Sequence, residues 1–264
     1  MTDHTTPWPA GAPAWTDLSV TDVARSTQFY TAVFGWVFEG GDEEFGGYLN
    51  ATSGGRLVAG MAPPMDGMPE PPHVWTTYLA VTDSAATQRA VTAAGGRTVL
   101  DPMQVGPFGT MALYADPTGA GFGTWQPGDH GGFGRTGEHG SPSWFEAMVG
   151  DFAAGKAFYA AAFGWTYSDD LPGDMRYAMF GTAGEEPPMS GGIGEVEAGT
   201  APYWAVSFEV DDVDAAADRV RGHGGAITTE PFDFEFGRLA LTTGPDGEAF
   251  GLVASTPMES STAP

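Results

Sequence analysis

The chain contains no cysteine, which excludes disulfides, thiolate metal sites and a cysteine nucleophile. It is nearly without lysine: Lys156 is the single one. Lys and Arg together number 10 against 34 Asp and Glu, giving a formal net charge of −24 at pH 7. A field of that sign repels phosphate backbones, so no nucleic-acid partner is expected. The surplus reads either as solubility or as attraction of cationic small ligands into an acidic cleft. No apolar run reaches membrane-spanning length, so no membrane partner is expected. The opening residues "MTDHTTPWPAGAPAW" lack the basic and apolar regions of a signal peptide, and a cytoplasmic protein is expected.

What is present is a repeat. The 264 residues suggest about two domains. "WTDLSVTDVARSTQFYTAVFGW" at 15–36 is written again as "WFEAMVGDFAAGKAFYAAAFGW" at 144–165, with 10 identities in 22 positions. At the same offset Tyr48 meets Tyr177, Trp75 meets Trp204 and Pro102 meets Pro231; one residue of deletion later, Pro117 meets Pro245 and Phe122 meets Phe250. Two duplicated domains follow, residues 1–129 and 142–264, joined by a Gly/His-rich linker at 130–141.

A weaker repeat lies inside each half. "LSVTDVARSTQFYTAVFG" and "LAVTDSAATQRAVTAAGG" both read as a strand, an Asp at a helix N-cap (Asp22, Asp83), a helix and a terminating Gly. Phe29/Val33 and Tyr30/Phe34 stand four residues apart and give the first helix an apolar face. Short extended segments separated by turn residues follow each helix. The unit is β-α-β-β-β, used four times, in an α+β fold. About 60 residues would bury too little alone, so units are expected to pair into two modules.

The markers D-x6-FY-x3-FGW in both halves, with "ADPTGAGFG" and "GPDGEAFG" before the last strand of each, resemble the vicinal oxygen chelate superfamily. Its members include glyoxalase I, extradiol dioxygenases and bleomycin-resistance binding proteins. The resemblance spans about 14–128 and 143–255, and is nearest to tandem actinomycete-type members labelled glyoxalase-like or hydroxylase. It implies cup-shaped sheets with the ligand on the concave face and, in metal-dependent members, His, Gln or Glu at fixed strand positions. Those positions fall on Trp15, Gly60, Thr76 and Gly123, and on Trp144, Gly192, Ala205 and Gly251. None is a metal ligand, and a divalent catalytic ion needs about three donors. Neither a metal nor another cofactor is therefore expected. The histidines are read as surface or loop residues, His130 and His139 among them.

Strand alternation then names the cup face. In the first half it points Trp15, Asp17, Ser19, Thr76, Tyr78 and Trp125 inward; in the second, Trp144, Glu146, Met148 and Ser207. Tyr48 and Tyr177 join as repeat-paired aromatics, and Arg238 as a cation for the cup. Three readings stay open for the carboxylates: ion pairs with Arg238, Arg56 or Arg176, recognition of a ligand, or general base catalysis by Asp17 or Glu146. "MAPPMDGMPEPPH" at 61–73 reads as a connector between units, or as a lid.

The expected function is metal-independent binding of an aromatic or polyketide-like compound, in antibiotic resistance or biosynthesis, by a monomer or homodimer. The alternative is a cofactor-independent enzyme performing cyclisation, isomerisation or hydroxylation. A third reading has one working cup and one structural one.

Overall fold

A computed structural model describes residues 4, 6–63, 73–171, 176–185 and 189–256. The connector at 61–73 falls largely outside these residues. Among those described, no helix is long and apolar enough to cross a membrane.

Each predicted unit forms. The first module comprises β1 (Pro13–Ser19), α1 (Val23–Phe34), β2 (Val37–Gly40), β3 (Leu49–Ser53) and β4 (Arg56–Ala62), then β5 (Trp75–Ala80), α2 (Ser84–Ala93), β6 (Arg97–Val105), β7 (Gly109–Ala115) and β8 (Gly121–Pro127). The second comprises β9 (Pro142–Val149), α3 (Phe152–Phe163), β10 (Thr166–Tyr167), β11 (Tyr177–Gly181) and β12 (Gly191–Glu195), then β13 (Tyr203–Glu209), α4 (Val213–Gly222), β14 (Ala226–Phe234), β15 (Gly237–Thr243) and β16 (Ala249–Ser255). All four helices start on an aspartate whose carboxylate accepts a backbone N–H three residues on: Asp22, Asp83, Asp151 and Asp212. Gly35 and Gly164 end α1 and α3 in the left-handed conformation that the FG motif requires.

Each half closes its own eight-stranded mixed sheet, in the orders β2-β3-β4-β1-β5-β8-β7-β6 and β10-β11-β12-β9-β13-β16-β15-β14. The cups therefore form within modules. The helices cross instead: α1 packs on α4 and α2 on α3, while β5 approaches β13 at the centre. One continuous core results, with Phe34 5.1 Å from Phe208 and Phe122 5.7 Å from Tyr159 between ring centroids.

The FGW tryptophans pin the two halves together. Trp36 Nε1 donates to the Gly140 carbonyl just before β9 (2.6 Å), and Trp165 Nε1 donates to the Gly11 carbonyl just before β1 (2.9 Å). Two buried tyrosines do the same from α1 and α3. Tyr30 donates to Glu248 (2.6 Å) and Tyr159 to Asp116 (3.2 Å), each reaching the turn before the other module's last strand. Asp116 also accepts the backbone N–H groups of Thr118, Gly119 and Ala120. In the second turn the position corresponding to Asp116 is Gly244. A Cβ there would overlap the Glu248 carboxylate, so Glu248 fills from four residues later the place that Asp116 fills directly.

Candidate functional site

The register fixes which side chains share the concave face. In the first sheet Asp17 lies opposite both Gly60 and Thr76, Trp15 opposite Tyr78, Tyr78 beside Gly123 and Ala80 beside Trp125. In the second, Glu146 lies opposite Gly192 and Ala205, Trp144 opposite Ser207 and Met148 opposite Tyr203. Thr16, Leu18 and Val20 turn to the helix side and are fully buried there.

On this face both modules build the same hydrogen-bonded chain. Trp15 Nε1 donates to the Tyr48 hydroxyl (2.9 Å), which donates to Asp17 Oδ2 (3.2 Å). Trp144 Nε1 donates to the Tyr177 hydroxyl (3.0 Å), which donates to Glu146 Oε1 (2.7 Å). The glycines opposite each carboxylate make this possible. A Cβ at Gly60 would overlap the Tyr48 hydroxyl, and one at Gly192 the Tyr177 hydroxyl. Tyrosine oxygens thus stand where side chains at the aligned ligand positions would begin.

The chains then differ. Tyr78 donates to the second oxygen of Asp17, Oδ1 (3.2 Å), with its ring over Gly123, where a Cβ would overlap it. Its counterpart Ser207 is too short to reach Glu146 in that way. Burial pushes the Asp17 carboxyl up to about 7, against the lowering effect of the Tyr78 and Tyr48 hydroxyls. Burial also raises Glu146, opposed by Tyr177 and Trp144. Tyr48, Tyr78 and Tyr177 are all raised, first by burial and next by the neighbouring carboxylate, so they act as donors.

The linker contributes to the first cup, which the sequence reading did not foresee. His130 is no surface histidine. Its ring stands edge-on to Trp15 (4.4 Å) and to Trp125 (5.6 Å), and its carbonyl accepts from Trp125 Nε1 (2.8 Å). Nδ1 accepts from Gly132 N–H (3.2 Å), which leaves the ring proton on Nε2, buried and without a partner. Burial lowers the imidazole to about 4. Phe133 inserts between Trp15 (5.5 Å) and Phe145 (5.6 Å). Farther out, Phe45 meets Phe108 at 5.0 Å, joining the segment after β2 to the β6–β7 hairpin. Asn50, opposite Gly60 and so on the same face as Asp17, has a buried Oδ1 without a partner. A glycine-rich run gave no pattern from which to read this plug.

Arg238 corrects another expectation. It pairs with Asp214 on α4 (2.7 Å) and Asp233 (2.8 Å), on the helix side of β15. The alternation explains it: Leu239, opposite Val253, faces the cup, so Arg238 cannot. Arg176 pairs with Glu195 (3.6 Å). The partners of Asp17 and Glu146 are tyrosines, not arginines. Ser19 and Thr76 keep their expected face and are half-buried, and Ser19 offers its carbonyl to His73 Nδ1 (3.2 Å).

Among the described residues, no three His, Cys, Asp or Glu side chains cluster. Each cup centre presents one carboxylate, already held by tyrosine. This donor set does not fit a divalent catalytic ion, which takes about three such ligands and an open position.

The comparisons agree with the architecture. The chain is 36% identical over 260 residues to the anthracycline biosynthesis protein DauV of Streptomyces sp. (strain C5), covering 92% of this chain and 93% of that protein. It is 34% identical over 261 residues to the putative glyoxylase CFP32 of Mycobacterium tuberculosis, covering 94% and 97%. Among solved structures, the Mn(II)-bound glyoxalase from Novosphingobium aromaticivorans superposes with a TM-score of 0.65 at 17% identity, over 93% of this chain and 82% of that one. An extradiol ring-cleaving dioxygenase from B. fuscum gives 0.66 at 15%, over 96% and 74%. The sequence pattern of one family matches residues 12–123 and again 141–252, so the chain belongs to the Glyoxalase/Bleomycin resistance protein/Dioxygenase superfamily.

Proposed function

We propose that the protein binds a flat aromatic, polyketide-like small molecule without a metal ion, against a cup wall of tryptophan, tyrosine and one carboxylate. The observation that carries this reading is the Trp–Tyr–carboxylate chain, built in both modules around glycines that leave the backbone approachable. Aromatic walls supply area and a carboxylate supplies orientation. The relatedness to proteins named for anthracycline biosynthesis supports a polycyclic aromatic ligand. The acidic surface favours a small-molecule partner over nucleic acid, for a monomer or homodimer in the cytoplasm.

The test is thermal stabilisation by a panel of polycyclic aromatic compounds in buffer containing a chelator. Saturable stabilisation without consumption of the compound is expected, about 2.7 kcal/mol at a hundredfold excess over Kd. Stabilisation that disappears with chelator and returns with a divalent ion would overturn the metal-independent reading.

A second reading is cofactor-free acid–base chemistry at Asp17 or Glu146. It is favoured by the Asp17 carboxyl, pushed up to about 7, since a base near neutrality transfers protons most efficiently, and by the upward direction at Glu146. Product formation in chelator, lost in both Asp17→Asn and Glu146→Gln, would establish it. Retention in both variants would eliminate it.

A further inference from the structure

We infer that the two cups are not equivalent sites: the second alone takes the ligand, a fused-ring phenol whose hydroxyl donates to Glu146 Oε2. The inference rests on the binding reading above and adds to it the site, the stoichiometry and the ligand's donor group.

Two differences carry it. Asp17 has a tyrosine donor on each oxygen, whereas Glu146 has one tyrosine, on Oε1, with the Trp144 indole as its other polar neighbour. Among the described residues nothing donates to Glu146 Oε2, a carboxylate oxygen on a half-buried aromatic face. A carboxylate so placed gains more from a donor than one in water.

The second difference is occupancy. In the first cup His130 lies against Trp15 and Trp125 as a ring-shaped occupant supplied by the chain itself, and Trp15 is only 4% exposed. The counterpart Trp144 is half-buried and carries no ring contact among the described residues, and the counterpart of Trp125 is the smaller Val253. Ser207 replaces Tyr78 over the backbone glycine, here Gly251.

The floor beyond the carboxylate is apolar in both cups, Met103 being 47% exposed at the corresponding place in the first, so it bears on the size of the ligand and not on the choice of cup. Phe232 lies opposite Leu239 and Phe234 opposite Gly237, which puts both on the cup face. Phe232, Leu241 and Tyr203 are 40%, 43% and 44% exposed on that face. From Trp144 on β9 to Phe232 on β14 the sheet crosses four inter-strand spacings, roughly 19 Å at about 4.8 Å each. A single ring covers a fraction of this span, and a fused-ring system covers much of it. Exposed apolar surface of this extent marks a binding face.

The test uses the full chain with anthraflavic acid, a dihydroxyanthraquinone whose hydroxyls are free of internal hydrogen bonds, and with its dimethyl ether. Binding is followed by quenching of tryptophan fluorescence and by calorimetry. One anthraflavic acid per chain is expected, with the ether at least about tenfold weaker, the scale of a lost hydrogen bond to a charged group. Ser207→Tyr, which fills the second cup as Tyr78 fills the first, is expected to abolish binding. Should that variant fail to fold, Glu146→Gln serves: it is expected to weaken anthraflavic acid about tenfold and to narrow its advantage over the ether. Two molecules per chain, unchanged affinity in Ser207→Tyr, or equal affinity of phenol and ether in the wild type would each overturn the inference while leaving the binding reading standing. No saturable binding of either compound would overturn both.

Discussion

The first cup and the second descend from one pattern and solve the same electrostatic problem to different degrees. Asp17 is enclosed by Tyr48 and Tyr78, behind a tryptophan sealed by His130 and Phe133. Glu146 has one tyrosine, a half-buried tryptophan and a serine where the second tyrosine would be. A buried carboxylate is tolerated when its lone pairs are answered. The first cup answers them internally; the second leaves one oxygen for something outside the chain.

The sharpest way to break this contrast is to remove the seal. Phe133 is 2% exposed between Trp8, Trp15 and Phe145. Phe133→Ala is expected to cost about 3–5 kcal/mol in urea denaturation. Trp144→Ala, in the more open cup, is expected to cost about 1–2 kcal/mol. Equal losses would mean that the cups are equally filled.

Next in size is Tyr78→Phe, which leaves Asp17 Oδ1 without its donor. A loss of about 1–3 kcal/mol at neutral pH is expected, against less than about 1 kcal/mol for Ser207→Ala. Matching losses would show that Ser207 holds Glu146 after all.

Asp17 also makes stability depend on pH. The Asp17 carboxyl lies near 7 in the folded chain against 3.8 unfolded, because burial favours its neutral form. Between these values the folded state holds a proton that the unfolded state releases. Its contribution to stability is therefore full below about pH 4, declines as pH rises through 7 and is level above. Asp17→Asn is expected to flatten that part of the stability profile, and a carboxyl carbon of Asp17 followed by NMR is expected to titrate near 7. A midpoint near 4 would place Asp17 in water rather than behind the seal.

The smallest expected change is Arg238→Ala. Its ion pairs with Asp214 and Asp233 are on the surface, so neither the urea midpoint nor binding to the second cup should move measurably. A loss of binding would return Arg238 to the cup.

The fold was legible because it is written in period. The FGW endings, the four aspartate caps and the alternation of β1 and β9 each depend on neighbours within a few residues, and duplication shows them twice. Alternation also placed Trp15, Asp17, Trp144 and Glu146 on one face, and the repeat paired Tyr48 with Tyr177. What escaped was long-range and aperiodic. His130 and Phe133 lie in a Gly-rich run whose path depends on the cup it enters. Glu248 takes over for an aspartate four residues earlier, a substitution that alignment by position hides. The expectation for Arg238 rests on charge alone, a cation beside a carboxylate, whereas the register of β15 turns it to the helices.

The crossed indole bonds, Trp36 to Gly140 and Trp165 to Gly11, bear on how the two halves relate to each other. A lone module with this sequence would leave an indole N–H, a tyrosine hydroxyl and the apolar face of its first helix without partners. The two halves are thus arranged like the subunits of a two-fold symmetric pair, in which every change would appear twice. A single chain carries no such obligation. Here one cup closes around its own linker while its sister stays open, a difference that is written into the sequence itself.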